Sequence, residues 1–256
     1  MLFGKTSAAR SLAEFRTLGI PIVDFHSHIL PGMDDGSSSV RESLEMIRVS
    51  EEQGVKVIAL TPHFYADRTH PDRFLEKREK SFGMLSEAYT ANTVRFVLGA
   101  ELQYFEGMAQ MDELPLFRID DSACLLIEMP FRPWTNRMVE DVLDINSRQG
   151  FHVILAHVER YFGIAKPKML ETLFEDGVSA QLNGESFLRF GGRHPLYRMI
   201  NDGCVRALGS DSHNMTTRKP CLEEAYCRIF CDLGEETVRM IAEDSMRLLG
   251  TSGRMF

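Results

Sequence analysis

Short apolar runs rich in β-branched residues recur seven times along this chain, and segments with helical spacing or polar character separate them. The first run starts at Ile22, and the others cover residues 55–60, 94–98, 123–127, 152–156, 178–182 and 205–208. Alternation of strands with crossover segments implies a parallel sheet. Seven units without a two-fold division favour closure, so we predict an α/β fold, a distorted seven-stranded (β/α)7 barrel similar to a TIM barrel.

The segments between the runs carry helix signals. Ser39 and Glu42 have the spacing of a capping box, and the helical pattern that follows them ends at Gly54. Further helices are predicted over residues 71–90, 134–148 and 235–249. Each lies after a predicted strand, where a barrel needs its crossover helices.

The length of 256 residues is ordinary for an α/β barrel that forms one domain, so we assign residues 22–256 to a single barrel. Residues 1–21 are mildly basic, and a helix over residues 11–18 would place Leu12 and Phe15 on one side. Because these apolar positions are few, we expect residues 1–21 to be a helical extension packed against the barrel.

Charge and cysteine content exclude several classes of protein. A formal net charge of -8 argues against a general attraction to nucleic acid or to anionic membranes. No apolar run approaches the roughly 20 residues that a membrane-spanning helix needs. The five cysteines make an odd count, and no secretory leader precedes them, so we expect a reduced, cytoplasmic setting. No cysteine is followed six positions later by arginine, so the Cys-x5-Arg loop of thiol-dependent tyrosine phosphatases is absent.

Five of the eight histidines follow the ends of predicted strands. His26 and His28 lie on or just after the first strand, where residues two apart point to the same side. An isolated pair of this kind would be interpreted as histidines that satisfy local hydrogen bonds. His63, His157 and His213 follow three later strands, and the carboxyl ends of parallel barrel strands meet at one face. This recurrence favours a metal site.

Carboxylates occupy equivalent positions. Glu101, Glu128 and Asp211 follow strand ends, and Asp35 lies in a loop with proline and glycine from which it can turn back toward the histidines. Nine imidazoles and carboxylates at one mouth are costly to desolvate unless divalent cations compensate them. Nine ligands are too many for one ion. We therefore predict two or three ions bridged by Glu101 and Asp35, with a residual positive charge that suits a phosphate dianion.

The motifs around these residues resemble a known superfamily. They are His26-x-His28, His-Ile-Leu-Pro-Gly-Met-Asp-Asp-Gly from His28, Thr-Pro-His63, Gly-Ala-Glu101, Leu-Ile-Glu128, Ala-His157-Val-Glu-Arg160-Tyr161 and Ser-Asp211-x-His213-Asn214. Over residues 22–250 the chain is similar to the polymerase-and-histidinol-phosphatase (PHP) superfamily. Within it, the chain resembles the bacterial metal-dependent protein-tyrosine phosphatases of capsule and exopolysaccharide gene clusters.

The resemblance implies a PHP-type barrel with three divalent ions, commonly manganese, with iron, zinc or magnesium as alternatives. The implied ligands are His26, His28, Asp35, His63, Glu101, Glu128, His157, Asp211 and His213. Arg160, Arg218 and Asp211 are the implied catalytic residues, and the arginines would bind the substrate phosphate. A metal-activated hydroxide would hydrolyse phosphotyrosine without a covalent intermediate. The expected partner is a phosphotyrosine protein such as the tail of a bacterial tyrosine autokinase, and the oligomeric state stays open.

Other interpretations stay open as well. The same metal site would serve a histidinol phosphatase or another small-phosphomonoester hydrolase. An amidohydrolase also begins with His-x-His, although it usually has an eighth strand and a bridging lysine. The non-enzymatic alternative is a phosphotyrosine-binding module that keeps metals for stability.

The roles of two arginines and three aromatic residues at the mouth also have alternative interpretations. Arg160 could pair with Glu159 or another carboxylate, and Arg218 could belong to a mobile polar loop. Three aromatic residues just beyond strand ends could stack on a phenyl ring, although aromatic residues at a barrel rim more often pack internally. They are Phe64, Tyr65 and Tyr104.

Overall fold

The computed structural model describes residues 12–148, 151–189 and 191–250, and these residues form a mixed α/β fold with parallel sheets. The strands are β1 Ile22–Ser27, β2 Val55–Leu60, β3 His63–Phe64, β4 Arg95–Leu98, β5 Glu101–Gln103, β6 Cys124–Glu128, β7 His152–Leu155, β8 Ser179–Asn183 and β9 Val205–Gly209. One sheet has the order β1-β2-β4, and the other has the order β3-β5-β6-β7-β8-β9.

The helices lie between and after these strands. They are α1 at residues 12–17, α2 Val40–Glu52, α3 Pro71–Ala88, α4 Asn136–Arg148, α5 Pro167–Glu175, α6 Glu185–Leu188, α7 His194–Asn201, α8 Leu222–Leu233 and α9 Glu235–Leu248. The predictions for α2, α3, α4 and α9 are confirmed to within about two residues at each end, as expected for helix termini. Among the described residues, no helix combines the length and the apolar character that crossing a membrane requires.

The N-terminus of α2 is capped much as predicted. The side chain of Ser39 accepts a hydrogen bond from the backbone N of Glu42 at 3.3 Å. The carboxylate of Glu42 accepts from the backbone N of Ser38 at 2.9 Å, one residue earlier than in an ideal capping box. The backbone N–H groups of Glu42 and Ser38 thereby find side-chain acceptors, and these bonds connect the loop that precedes α2 to the helix.

The prediction of seven strands differs from the structure because two of the predicted units each contain a second, short strand beyond the apolar run. The run over residues 55–60 forms β2, and β3 follows it after Pro62, which has no backbone N–H to donate to a ladder. The run over residues 94–98 forms β4, and β5 follows it after Gly99 and Ala100. Gly99 packs so tightly that a Cβ atom there would lie 2.9 Å from the side chain of Ile119. Among the described residues, regular pairing therefore gives two sheets and no continuous seven-stranded ring.

Hydrogen bonds connect the end of β1 with the segment that follows β9. The backbone N of Asp211 donates to the carbonyl of His26 at 2.8 Å, and the N of His28 donates to the carbonyl of Ser212 at 3.0 Å. The buried carboxylate of Asp24 accepts from the backbone N of Ser210 at 2.8 Å. The first and last strands are thus held side by side at the end where the predicted ligands lie.

The strands are apolar on both faces, as parallel strands covered by helices require. On β2, Ile58 and Leu60 belong to the large core between strands and helices, whereas Val57 and Ala59 belong to a smaller core on the other face. Leu126 of β6 also lies in the smaller core, and Glu128 follows it two residues later. The smaller core therefore packs directly below the polar residues at the carboxyl ends of the strands.

Helix α1 packs on α8 through its one fully enclosed side chain. Phe15 is 3% exposed, and its ring lies 6.4 Å from Tyr226 and 6.1 Å from Phe230 between ring centroids. Arg16 pairs with Glu223 at 2.5 Å. Residues 1–11 of the predicted extension and residues 251–256 of the predicted barrel lie outside the described residues.

Candidate metal centre

Strand β1 delivers His26 and His28 to the site, and an irregularity in the strand decides which side chains accompany them. Between Asp24 and Ser27, β1 has one more residue than the paired part of β2. Such a bulge changes the side that the following residues face. The Nε2 atoms of His26 and His28 lie 3.1 Å apart, whereas Asp24, which strict alternation would place beside them, bonds to Ser210 instead.

Glu101, the first residue of β5, lies at the centre of the cluster and is fully buried. Its Oε2 atom lies 3.2 Å from Nε2 of His26 and 3.3 Å from Nε2 of His28. The same atom lies 2.8 Å from Nδ1 of His63, and Oε1 accepts a hydrogen bond from Nε2 of His157 at 2.9 Å. A carboxylate surrounded by four imidazoles has the arrangement expected of a bridging ligand.

The remaining predicted ligands complete the cluster. The ligand atoms form three groups, each with all members within 4.8 Å of one another: His28–Asp35–His63–His213, His26–His28–Asp211 and His63–Glu101–Glu128. Nε2 of His157 lies 3.4 Å from Oε1 of Glu128, so this histidine borders the third group. The structure therefore brings together all nine residues that the sequence predicted as ligands.

Asp35 occupies the outer edge of the cluster. Its side chain is 68% exposed, and its Oδ1 atom lies 3.6 Å from Nε2 of His63 and 3.5 Å from Nε2 of His213. The other carboxylates of the cluster are buried. Asp35 is thus the ligand candidate nearest to solvent, on the side from which a substrate would approach.

The donor set fits divalent cations on two grounds. Four buried atoms of the cluster make no hydrogen bond of regular geometry within the described part of the chain, although two of them, Nδ1 of His63 and Oε2 of Glu101, lie 2.8 Å apart. They are Nδ1 of His63, Oε2 of Glu101, Nδ1 of His157 and Nε2 of His213. Imidazole nitrogens mixed with carboxylate oxygens are also the donors that manganese, iron and zinc accept. The site is therefore suited to a group of such ions.

Opposite pKa shifts within the cluster reflect the crowding of charge. Burial lowers the pKa of His157, but hydrogen bonds to Glu101 and Glu128 outweigh burial and raise that pKa to about 9. Burial and the charge of His28 lower the pKa of His213 to about 4. Protons on some imidazoles thus balance the carboxylates when no cation does. Cations would replace these protons, because an imidazole must be neutral to bind a metal.

Two of the predicted ligands adopt left-handed backbone conformations. His157 has a φ angle of 34° and Asp211 has a φ angle of 50°, in a region that residues with a side chain rarely occupy. Their backbone N atoms are held by a hydrogen bond to Gln181 Oε1 at 2.8 Å and one to His26 O at 2.8 Å, respectively. Strain of this kind concentrates at functional sites, and here it turns both side chains into the cluster.

Sequence reasoning missed an amide bridge on β8, which corresponds to the one of the seven predicted strands whose end carries no predicted ligand. Oε1 of Gln181 accepts from Nδ1 of His26 at 3.0 Å, and Nε2 of Gln181 donates to Oδ1 of Asn183 at 3.0 Å. Nδ2 of Asn183 donates to Oδ2 of Asp211 at 2.8 Å. The two amides therefore orient ligands on β1 and after β9. The alternation of Gln181 and Asn183 with apolar residues in a buried strand was the available signal.

Asp34 was also missed as a contributor, because its neighbour Asp35 was chosen as the ligand. Oδ2 of Asp34 accepts from Nδ1 of His28 at 2.7 Å and from the backbone N of His63 at 2.8 Å. Burial opposes its ionisation, but the charge of His28 holds the pKa of Asp34 well below its usual value. With Nδ1 engaged in this way, Nε2 of His28 is directed into the cluster.

The two predicted substrate arginines converge on one carboxylate oxygen. Nη2 of Arg218 lies 2.6 Å from Oδ2 of Asp211, and Nη1 of Arg160 lies 3.7 Å from the same atom. The guanidinium of Arg160 also lies over the ring of Phe131, 4.7 Å from its centroid. Among the described residues, the carboxylate of Glu159 forms no ion pair with Arg160; instead, its Oε1 accepts a hydrogen bond from the hydroxyl of Ser186 at 2.8 Å. Both arginines line a cleft of about 460 Å³ that adjoins the cluster.

The loop that carries Arg218 is organised by one side chain. Oδ1 of Asn214 accepts from the backbone N atoms of Thr216, Thr217 and Arg218 at 2.9, 2.8 and 3.2 Å. The carbonyl of Arg218 in turn accepts from the backbone N of His213 at 2.8 Å. The loop is therefore closed by its own hydrogen bonds next to a predicted ligand.

Comparison with known proteins is consistent with this geometry. The profile of a family described as capsular polysaccharide synthesis, CpsB/CapC, matches residues 22–249. The chain belongs to the CpsB/CapC family. This confirms the resemblance to the bacterial phosphatases of capsule gene clusters that the motifs indicated.

Members of the CpsB/CapC family resemble this chain over nearly its whole length. Tyrosine-protein phosphatase YwqE of Bacillus subtilis strain 168 is 28% identical over 234 residues, which cover 89% of this chain and 91% of YwqE. Tyrosine-protein phosphatase CpsB of Streptococcus pneumoniae is 26% identical over 240 residues, covering 88% of this chain and 97% of CpsB.

The fold is shared as well. A crystal structure from work on YwqE of B. subtilis and CpsB of S. pneumoniae, described as unique metal-dependent tyrosine phosphatases, superposes with a TM-score of 0.77. It is 26% identical in sequence, and the superposition covers 89% of this chain and 94% of the other. The two chains therefore share their fold over most of their length.

Proposed function

We propose that this chain is a metal-dependent protein-tyrosine phosphatase that releases phosphate from phosphotyrosine residues of proteins. The observation that carries the proposal is the joint position of a nine-residue ligand cluster and two arginines that face the same oxygen of Asp211. The names of the CpsB/CapC relatives support the same activity.

The cluster is proposed to hold three divalent ions, with manganese as the ion that supports activity. His26, His28 and Asp211 form one position, His28, Asp35, His63 and His213 another, and His63, Glu101 and Glu128 with His157 the third. When bound, such ions activate water and neutralise the charge of a phosphoryl group. Glu101 contributes the central carboxylate between these positions.

The arginines are proposed to bind the non-bridging oxygens of the phosphate. A guanidinium presents several N–H donors in one plane and stays charged at any working pH, which suits phosphate recognition. Arg160 and Arg218 are now balanced by Asp211, so an arriving phosphate would share their donors with this carboxylate. Asp211 thereby connects the ligand cluster to the substrate cleft.

Other side chains hold the ligands in a usable form. Gln181 keeps the proton of His26 on Nδ1, and Asp34 does the same for His28, which leaves each Nε2 atom available in the cluster. Fixed tautomers of this kind raise the basicity of metal-binding histidines. Burial of Glu101 and both histidines also keeps bulk water away from the centre.

Three finer predictions belong to this proposal. The substrate protein is proposed to be a bacterial tyrosine autokinase of capsule or exopolysaccharide synthesis, encountered in the cytoplasm; the naming of the family supports the capsule setting. Residues 22–256 are proposed to form one barrel with residues 1–21 as an extension. The hydrogen bonds of His26 and His28 to the segment after β9 support closure of that barrel.

The test is a comparison of substrates on protein loaded with manganese. We expect efficient release of phosphate from a phosphotyrosine peptide and much slower release from the matched phosphoserine peptide and from histidinol phosphate. Chelation should abolish the activity, and added manganese should restore it. An Arg160→Lys variant should retain bound metal but lose substrate affinity, because lysine cannot provide the planar pair of donors.

Comparable or faster turnover of histidinol phosphate would contradict the proposal and favour the small-phosphomonoester alternative. Binding of the phosphopeptide without any hydrolysis, at full metal content, would favour a binding module. The amidohydrolase alternative needs a bridging lysine, whereas here the carboxylate of Glu101 lies at the centre, with its Oε2 atom 3.2 Å from Nε2 of His26 and 2.8 Å from Nδ1 of His63.

A further inference from the structure

Tyr65 lies at the mouth of the cluster in a position that the proposed function does not use. It directly follows β3, and its ring lies 5.1 Å from the ring of His63 between centroids. The guanidinium of Arg68 lies over the Tyr65 ring, 4.5 Å from the centroid. The ring is thus held by one ligand candidate and one cation, which limits the positions open to its hydroxyl group.

The side chain of Tyr65 is half-buried and lines a cleft together with two ligand candidates, Asp35 and His63. Within the described part of the chain, no group makes a hydrogen bond with the Tyr65 hydroxyl. A half-buried donor without a partner next to an anion-binding centre is a candidate for contact with substrate.

The other two aromatic candidates at strand ends have internal roles. Phe64 is fully buried, and its ring lies 4.3 Å from that of Phe117. Tyr104 is buried, and its hydroxyl donates to Oδ2 of Asp141 at 2.7 Å. Of the three, Tyr65 is therefore the one whose polar end is available at the mouth.

Tyr65 also borders a second cleft, separate from the one with Arg160 and Arg218. This cleft has a volume of about 430 Å³, and besides Tyr65 its lining includes Met33, Phe74, Asp35, His63 and the cations Arg68 and Lys77. Asp35 and His63 form its inner end, whereas Met33 and Phe74 provide apolar surface. A phenyl ring can contact Met33 and Phe74 here, whereas the cleft with Arg160 and Arg218 is lined by polar and charged residues.

We propose that Tyr65 is a substrate-binding residue whose hydroxyl donates a hydrogen bond to the ester oxygen of phosphotyrosine, while the phenyl ring enters the Met33–Phe74 cleft. This inference rests on the proposed function. The two arginines then bind non-bridging oxygens on one side of the phosphoryl group, and Tyr65 contacts the leaving oxygen on the other.

The reaction assigns a definite role to that hydrogen bond. An oxygen from water forms a bond to phosphorus, and the bond between phosphorus and the ester oxygen breaks with its electron pair moving to the phenolic oxygen. One proton of the water completes the tyrosine product, and the oxygen and second proton of the water stay with the phosphate. Tyr65 keeps its own proton and stabilises the charge that develops on the leaving oxygen.

The test compares Tyr65→Phe with wild-type protein on aryl phosphates, both loaded with manganese. Phenyl phosphate has a basic leaving oxygen, and 4-nitrophenyl phosphate has a much less basic one. We expect kcat/KM for phenyl phosphate to fall by about tenfold or more, and kcat/KM for 4-nitrophenyl phosphate to fall much less. Metal content and inhibition by inorganic phosphate should be unchanged, because inorganic phosphate has no ester oxygen.

A matched control is Tyr197→Phe, which removes the hydroxyl that bonds to Asp232 on the surface and should change none of these quantities. Equal losses on both aryl phosphates, or unchanged rates in Tyr65→Phe, would overturn the assignment to the ester oxygen. Failure of the wild-type protein to hydrolyse any phosphotyrosine substrate would instead overturn the proposed function, and the inference with it.

Discussion

Oε1 of Gln181 accepts a hydrogen bond from Nδ1 of His26, 3.0 Å away, and the same oxygen accepts one from the backbone N of His157 at 2.8 Å. One amide carbonyl therefore sets the orientation of two predicted ligands that lie on different strands. Its Nε2 atom continues the connection to Asn183 and, through it, to Asp211. Gln181, which is not a predicted metal ligand, therefore holds the ligands of the cluster in position through hydrogen bonds.

Replacement of Gln181 tests this support. We expect Gln181→Ala to weaken manganese binding by about 10- to 100-fold, because loss of a partner that orients a metal ligand typically has that effect. Titration calorimetry on metal-free protein measures the change directly. Gln110→Ala is the control, because Gln110 is an exposed residue at the end of the short 3-10 helix Met108–Gln110. Equal manganese affinity in Gln181→Ala and wild type would show that the amide has no such role.

Removal of the two β1 histidines should abolish activity through loss of metal. His26 and His28 both contribute to the group with Asp211, and both contact Glu101, so His26→Ala/His28→Ala leaves that part of the cluster without nitrogen donors. Elemental analysis after gel filtration should show fewer bound ions per chain. His70→Ala, at a side chain 63% exposed, should retain full metal content and activity. Manganese-dependent turnover in the double variant would refute the ligand assignment.

The stability of the metal-free protein should depend on the protonation of His157. Its pKa is raised from 6.5 to about 9, so its stabilising contribution is complete below pH 6.5 and is lost as pH rises through 9. The shift corresponds to roughly 3 kcal/mol. Thermal unfolding of chelated protein should therefore show a steeper loss of stability from pH 6.5 to 9 in wild type than in His157→Gln. Parallel curves for the two proteins would contradict the assignment.

Blocking of thiols should leave catalysis unchanged. Burial raises the pKa of Cys124 to about 11 and that of Cys221 to about 12, so neither forms a thiolate readily. Cys231 is exposed and should take up most of an alkylating reagent. Phosphatase assays run beside mass spectrometry of the labelled protein should show that activity stays constant while alkylation increases. A loss of activity that keeps pace with alkylation in a Cys231→Ser background would indicate a thiol-dependent mechanism.

The predicted ligands could be found from sequence because each follows an apolar run, and parallel strands must present their carboxyl ends at one face. Glu101 and Asp211 lie far apart in the chain and meet for this reason alone. The choice between Asp34 and Asp35 was harder. Both lie in one turn, and which carboxylate binds the Nδ1 atom of His28 depends on backbone geometry that a residue pattern does not encode.

Other features depend on tertiary contacts with no local signal. The extra residue in β1 between Asp24 and Ser27 removes Asp24 from the side of the histidines, contrary to simple alternation. The short strands β3 and β5 lie beyond Pro62 and Gly99, after the two apolar runs that were predicted as strands, and no apolar run marks them. Gln181 was overlooked because amides are poor ligands for these ions, and its role exists only where β8 passes beneath His26.

The side chain of Asn214 orders the Arg218 loop when the protein folds, before any substrate binds. Its Oδ1 atom already gathers the backbone N atoms of three loop residues, so the chain loses this conformational freedom during folding. A loop that had to order around each arriving phosphate would subtract that cost, roughly 1–2 kcal/mol per residue fixed, from every binding event. Because the loop is already ordered before substrate binds, ordering the backbone around Arg218 does not weaken substrate binding.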